Sequence, residues 1–223
     1  MNNWNLPVKE AVELQKQLSK KIVLKFSSRK INYIAGVDLG YDKKSELGFC
    51  SVVIFTFPDL DIFQIYNYHQ EVLFPYIPGL LSFREGPIII KIFEKIIPKP
   101  ELIIFDGQGI AHQRKLGIAS HMGLLLNIPS IGCAKSKLYG KYEEPASEKG
   151  SRSYLYDYKD NPIGVVLRTK DNVKPVFISP GHLIGINKSV EIIMKCVTKY
   201  RIPEPTRIAD IQVAKYKEAI LQN

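Results

Sequence analysis

Four apolar residues on consecutive positions, Leu102-Ile103-Ile104-Phe105, stand between Pro100 and Gly107. A strand with one face in water alternates apolar and polar side chains, whereas a short unbroken apolar run bounded by breakers is covered on both faces. The run therefore predicts a central parallel strand, and with it an α/β sheet that carries helices. The next segments supply the crossover. His112 to Asn127 reads as a helix and Pro129 to Ala134 as another strand, at the spacing of a β-α-β unit.

Upstream, Ile31 to Leu39, Phe49 to Phe57 and Ile62 to Leu73 are rich in β-branched and aromatic residues. Short polar connections, Asp42-Lys43-Lys44-Ser45 and Pro58-Asp59, join them as hairpins, so they predict a three-stranded antiparallel meander and make the sheet mixed. Val8 to Lys21 is an amphipathic helix whose expected role is packing. Phe74 to Gly79, with two prolines and a glycine, is irregular, and the helical pattern through Phe83 and Ile96 contains Pro87 as a kink or break. Glu143 to Gly150 is a charged loop. Further strands are expected at Tyr154 to Tyr158, Ile163 to Arg168 and Val176 to Ile178, and helices at Leu183 to Lys199 and Thr206 to Leu221, the latter capped by Thr206. No linker or repeat divides residues 1–223, which read as a single domain.

Apolar runs stop far short of the roughly 18 residues of a membrane span, and Met1 to Pro7 has no basic-then-apolar export pattern, so a cytoplasmic protein away from membranes is expected. Cys50, Cys133 and Cys196 are odd in number and widely spaced, which argues against a disulfide framework and against structural zinc. Lys and Arg number 31 against 22 Asp and Glu, a formal charge of +9 that favours a nucleic-acid partner.

Two carboxylates stand where open α/β sheets place their chemistry. Asp38 comes late in the first strand of the meander, and Asp106 ends the buried strand ahead of Gly107-Gln108-Gly109. If the two strands are neighbours, the acids repel unless a cation or a proton intervenes, and Mg²⁺, or Mn²⁺, suits such oxygen ligands. Taken singly, either Asp could be a turn former or helix cap. Glu85, in a first helical turn, is by itself more often solvated than a ligand, and Asp210 by itself reads as a helix-dipole acid. His112 and His121 lie nine positions apart, half a turn out of phase on one helix, so only one can serve a given site, and His112 is nearer Asp106. His182 falls at an expected helix start, where it would cap or bind an anion, and His69 on a strand surface.

The ordered segments Ile34-Ala35-Gly36-Val37-Asp38, Pro75-Tyr76-Ile77-Pro78-Gly79-Leu80-Leu81-Ser82-Phe83-Arg84-Glu85 and Asp106-Gly107-Gln108-Gly109-Ile110-Ala111-His112 resemble the endonuclease V family. So do Ile131 to Ser136, Ser179 to His182 and Arg201 to Arg207. The resemblance implies a ribonuclease H-like fold and metal-dependent nicking of DNA at hypoxanthine, at the second phosphodiester on its 3′ side. By the same resemblance Asp38, Asp106 and Glu85 are the metal-binding carboxylates, and Asp210 is a further active-site acid. Lys135 matches a lysine near the reacting phosphate, His112 a motif histidine, and Tyr76 the tip of a strand-separating wedge. Gly79, Leu81, Gly132 and Leu138 match the family's base pocket. Two positions depart from the family pattern: Gln108 stands in place of a His, which removes a titrating group, and Gln113 in place of a Pro.

The implied chemistry is in-line attack of a metal-activated water with expulsion of the 3′ oxygen by a monomeric enzyme. Three alternatives differ in class: an inosine-specific ribonuclease, a non-cutting nucleic-acid-binding protein of the same fold, and an actin-like phosphotransferase that uses the Gly36-to-Gly40 and Asp106-to-Gly109 segments as phosphate loops. Only one copy of the meander is present, which weighs against the last.

Overall fold

The computed structural model describes residues 4–27 and 30–222; Met1–Asn3, part of the segment inspected for an export signal, lie outside them. One eight-stranded sheet organises the chain. Its strands are β1 (Tyr33–Tyr41), β2 (Leu47–Thr56), β3 (Ile62–Glu71), β4 (Leu102–Phe105), β5 (Ser130–Ala134), β6 (Arg152–Tyr156), β7 (Pro162–Leu167) and β8 (Val176–His182). They lie in the order β3-β2-β1-β4-β5-β8-β7-β6. β4 runs parallel to β1 and to β5, and the meander and the β8-β7-β6 side are antiparallel. The mixed sheet with a parallel centre agrees with the sequence.

β4 explains the layering. Ile103 and Phe105 join the core beneath α2 (Leu81–Glu94) and α3 (Ile118–Leu126), which includes Ile89, Ile92 and Met122. Leu102 and Ile104 join the opposite core, under α4 (Ile186–Cys196) and α5 (Glu204–Leu221), with Ile193 and Ala209. Both faces of the strand are dry, as four consecutive apolar residues require. α1 (Val8–Ser19) covers the α2 side through Ala11, which packs with Phe74, Leu80 and Phe83. α5 lies so close to β1 that a side chain at Gly36 would come within 2.0 Å of the Pro205 carbonyl oxygen.

Several boundaries differ from expectation, each for a local reason. The helix expected from His112 starts at Ile118, because Gly117 N–H bonds the Gly109 carbonyl and Ala119 N–H the Gln108 carbonyl, which folds residues 108–117 into a closed loop. β8 continues through Pro180 to His182 beside β5, so His182 ends a strand and caps no helix; its Nδ1 accepts the Val23 N–H. α5 begins at Glu204 and Thr206 lies inside its first turn, its hydroxyl donating to the Pro203 carbonyl. Pro87 is accommodated within one continuous α2. His69 bonds the Tyr216 hydroxyl of α5 at 2.7 Å, and is more than a strand-surface residue. The three cysteines are buried and unpaired.

Candidate active site

Pairing of β1 with β4 ends at Val37 opposite Phe105, so Asp38 and Asp106 follow at the same level. Alternation then puts both on the face of Ile34 and Ile104, the side that α5 covers. β5 is registered by Phe105 opposite Gly132, and its continuation brings Lys135 Nζ to 2.5 Å from Asp106 Oδ2. Asp210 on α5 adds its field to Asp38 and to Lys135, and Glu85 on α2 adds its charge to Cys50 beneath the site. Acids from two strand ends and two helices, far apart in sequence, thus act on one another's charge near the carboxyl end of β1 and β4.

Crowding shows in their protonation. Burial, then the Asp106 and Asp210 charges, push the Asp38 carboxyl up to about 7. Burial and Asp38 push Glu85 up to about 8, with Arg84 acting against them. Burial pulls Lys135 down, but its hydrogen bond to Asp106 and the fields of Asp106, Asp210 and Asp38 leave it raised. Among the described residues no three His, Cys, Asp or Glu side chains are gathered closely enough to hold a metal ion. The Lys135 ammonium already pairs with Asp106. The donor set nevertheless fits a hard divalent cation: oxygen ligands only, in excess of nearby positive charge, with Asp38 and Glu85 raised by burial and like charge that a cation would offset.

Beside the acids opens a cavity of about 240 Å³, lined by Tyr76, Gly79 and Leu81 on one wall, Gln108 and His112 on another, and Leu138 at the rim. Gly132, expected in the base pocket, does not line the cavity; it packs against the turn at Gly107 to Gly109, where a side chain at Gly132 would strike the Gly107 carbonyl at 2.5 Å. Gln108 is buried and its amide donates to the Ser136 carbonyl at 3.0 Å, which ties the loop after Lys135 to the loop after Asp106. A neutral amide here does a holding job that needs no titration.

His112 is likewise a holding group in this arrangement. Its Nδ1 accepts the Arg114 backbone N–H at 3.1 Å, so the proton resides on Nε2, which donates to the Gly79 carbonyl at 3.0 Å. Burial and the Arg114 charge push the ring down to about 4. Two more donors reach the same carbonyl, Gln15 Nε2 at 3.0 Å and Arg114 Nη2 at 2.8 Å. At the other end of the segment, Arg84 donates to the Phe74 carbonyl at 2.7 Å and lies over the Tyr41 ring. Between these two anchors Tyr76 projects, 68% exposed.

Sequence reasoning missed Gln15, Arg84 and Arg114. Gln15 had a signal: with Ala11 and Leu18 it falls on the buried stripe of α1, and a polar group on such a stripe needs a partner. Nothing local distinguishes Arg114 from a solvated arginine. His121 lies apart from the cavity, buried against Trp4 and Phe83 with its Nδ1 on the Ser82 hydroxyl.

The profile of the endonuclease V family matches residues 16–211. Endonuclease V of Dictyoglomus turgidum is 52% identical over 202 residues, 91% of this chain and 87% of that protein. Among solved structures, endonuclease V of Streptomyces avermitilis superposes with a TM-score of 0.91 at 35% identity, covering 98% of this chain and 96% of that one. Endonuclease V of Ciona intestinalis, crystallised with a 24mer DNA containing an inosine followed by a ribo-adenosine, superposes at 0.85 with 27% identity, over 96% of this chain and 98% of that one.

Proposed function

The chain belongs to the endonuclease V family, and from that membership we propose that it nicks DNA at the second phosphodiester on the 3′ side of hypoxanthine, as a monomeric single-domain enzyme of the cytoplasm. It is an inosine-directed nuclease of DNA repair, a hydrolase of phosphodiester bonds. No helix among the described residues is long and apolar enough to cross a membrane.

The observation that carries the reading is the meeting of Asp38, Glu85, Asp106 and Asp210 beside a base-sized cavity, with Lys135 on Asp106. Asp38 and Asp106 would hold a divalent cation, with Glu85 and Asp210 supporting it. When bound, Mg²⁺ or Mn²⁺ supplies charge neutralisation at the phosphate and acidifies a water for attack on phosphorus. Lys135, at the open side of Asp106, is placed to take a non-bridging phosphate oxygen as its second anionic partner. Tyr76 fills the gap left when the base unstacks, a change that costs a few kcal/mol and that one aromatic stack of about 1–3 kcal/mol offsets. Gly79, Leu81 and Leu138 wall the cavity that receives the base, and Gly132 lets its floor lie close. His112 positions the Gly79 carbonyl from its neutral form and moves no proton.

The test is cleavage of matched DNA and RNA strands, each with one hypoxanthine, in Mg²⁺ and in chelator, with product mapping. Cutting two bonds 3′ of the lesion, only with metal, supports the reading; cutting indifferent to hypoxanthine or to chelator overturns it. A ribonucleotide follows the inosine in the Ciona complex, which keeps inosine-containing RNA as the second substrate to compare.

A further inference from the structure

We propose that the outer face of β6 and the turn after it form a track for unpaired nucleic acid on the 5′ side of the lesion. The inference rests on the hydrolytic reading above for its polarity. Along residues 135–139 the chain passes from the cutting site to the base cavity and then beyond it. Lys135 sits on Asp106, Ser136 to Leu138 line the cavity, and Tyr139 meets the exposed Tyr158 ring edge to face at 5.2 Å. Since the scissile bond lies 3′ of the base, a strand that leaves the cavity away from Lys135 is the 5′ flank.

The surface there has the two elements that bind single strands without sequence preference, exposed π-faces and unpaired cations. On β6, Arg152 and Tyr154 point out while Leu155 is buried, and two concavities of about 600 and 660 Å³ flank Tyr154 and Tyr156. Tyr154 is 45% and Tyr158 67% exposed, although tyrosine rings bury considerable area when they have a partner. The local acids are largely occupied: Asp157 pairs with Lys115 at 3.4 Å and accepts the Asn161 amide, and Asp160 pairs with Lys141 at 2.7 Å. Glu143 remains, against Lys137, Arg152 and Lys159, whose charged ends form no ion pair among the described residues. Positive surplus beside open tyrosines complements a polyanion with stacking bases, and continuity with the base cavity identifies it as the substrate strand itself.

Affinity is to be measured in Ca²⁺ on single strands carrying one hypoxanthine, with a fixed 3′ arm and a 5′ arm of either one or about ten nucleotides, the span of one single-strand site. The wild type should bind the long 5′ arm roughly tenfold more tightly than the short one, the scale of one aromatic stack. Tyr154→Ala with Tyr158→Ala, and separately Arg152→Glu with Lys159→Glu, should abolish that gain and leave binding and Mg²⁺-dependent cutting of the short-armed strand at wild-type levels. A gain that survives both pairs, an equal loss on both arm lengths, or a loss that follows the 3′ arm overturns the track. So does a loss confined to duplex arms, which would assign the surface to paired DNA. Failure of the wild type to cut any hypoxanthine strand in Mg²⁺ would instead overturn the hydrolytic reading, and the arm-length comparison in Ca²⁺ would still decide the track.

Discussion

The Asp106 charge opposes ionisation of Asp38, and a bound cation would offset both charges. Replacing either by Ala should abolish nicking and leave the fold intact. At pH 8 in chelator Asp38→Ala should be more stable than the wild type, because it removes a carboxylate whose charge is opposed first by burial and then by Asp106 and Asp210. Nicking assays paired with thermal melts check both halves, and near-normal cutting by either variant would remove these acids from the mechanism. His112 belongs to the other category, residues that act through a neighbour. His112→Ala deletes one of three donors to the Gly79 carbonyl, a loss of about 1 kcal/mol that should appear as a several-fold higher KM. Between pH 6 and 9 the shape of the kcat profile should not change, since the ring stays neutral throughout that range, and His112→Gln should recover part of the KM. A pH limb that vanishes with the imidazole would make it a proton carrier after all.

Elements matter here as anchors. The segment from Phe74 to Gly79 has no regular hydrogen bonding of its own, yet its first and last carbonyls are pinned, by Arg84 of α2 and by Gln15, His112 and Arg114. Tyr76 is therefore presented on a short span whose ordering cost is already met, helped by Pro75 and Pro78. Tyr76→Ala should leave melting temperature unchanged and weaken binding of a hypoxanthine duplex by about 1–3 kcal/mol, with a smaller loss on the single strand, where no partner strand has to be separated. Affinities for both forms in Ca²⁺ provide the check; equal losses would show a general contact and no loss a side chain that only decorates the loop. α1, expected to serve packing alone, contributes to this presentation through Gln15.

At the scale of the whole molecule, protonation couples the site to stability. Asp38 is raised from 3.8 to about 7 and Glu85 from 4.5 to about 8, so the folded protein keeps protons that the unfolded chain has lost. Stability of the ion-free protein from these two groups is complete below about pH 4 and is lost as pH rises to 8. His112 and His121, both lowered from 6.5 to about 4, act in the opposite sense: their contribution is present above 6.5 and lost as pH falls towards 4. The opposing slopes overlap at acid pH, so calorimetry in chelator should show a net decline between about pH 6.5 and 8. Glu85→Gln should flatten that decline, and Mg²⁺ should remove most of it by replacing the bound protons. A stability that rises across this interval in chelator would mean that the acids are not crowded in solution.

What the sequence determined by itself is local or periodic. The double-faced burial of Leu102 to Phe105, the meander and the parallel centre follow from side-chain alternation, which any chain with this pattern must satisfy. Position within strands also exposed Asp38 and Asp106 as a pair, since a carboxylate at a buried strand's end needs a partner. Glu85, Asp210 and Lys135 carried no local signal, and only resemblance singled them out. Their convergence depends on which faces α2 and α5 cover and on the β4-to-β5 register, and those are set by packing between segments as distant in the chain as Gly36 of β1 and Pro205 of α5. The tertiary structure alone decided that His112 stands in a closed loop with both ring nitrogens engaged, that Gln15 and Arg114 converge on one carbonyl, and that β8 extends past Pro180. Each depends on hydrogen bonds whose partners are distant in the chain, and no propensity of a single segment encodes them.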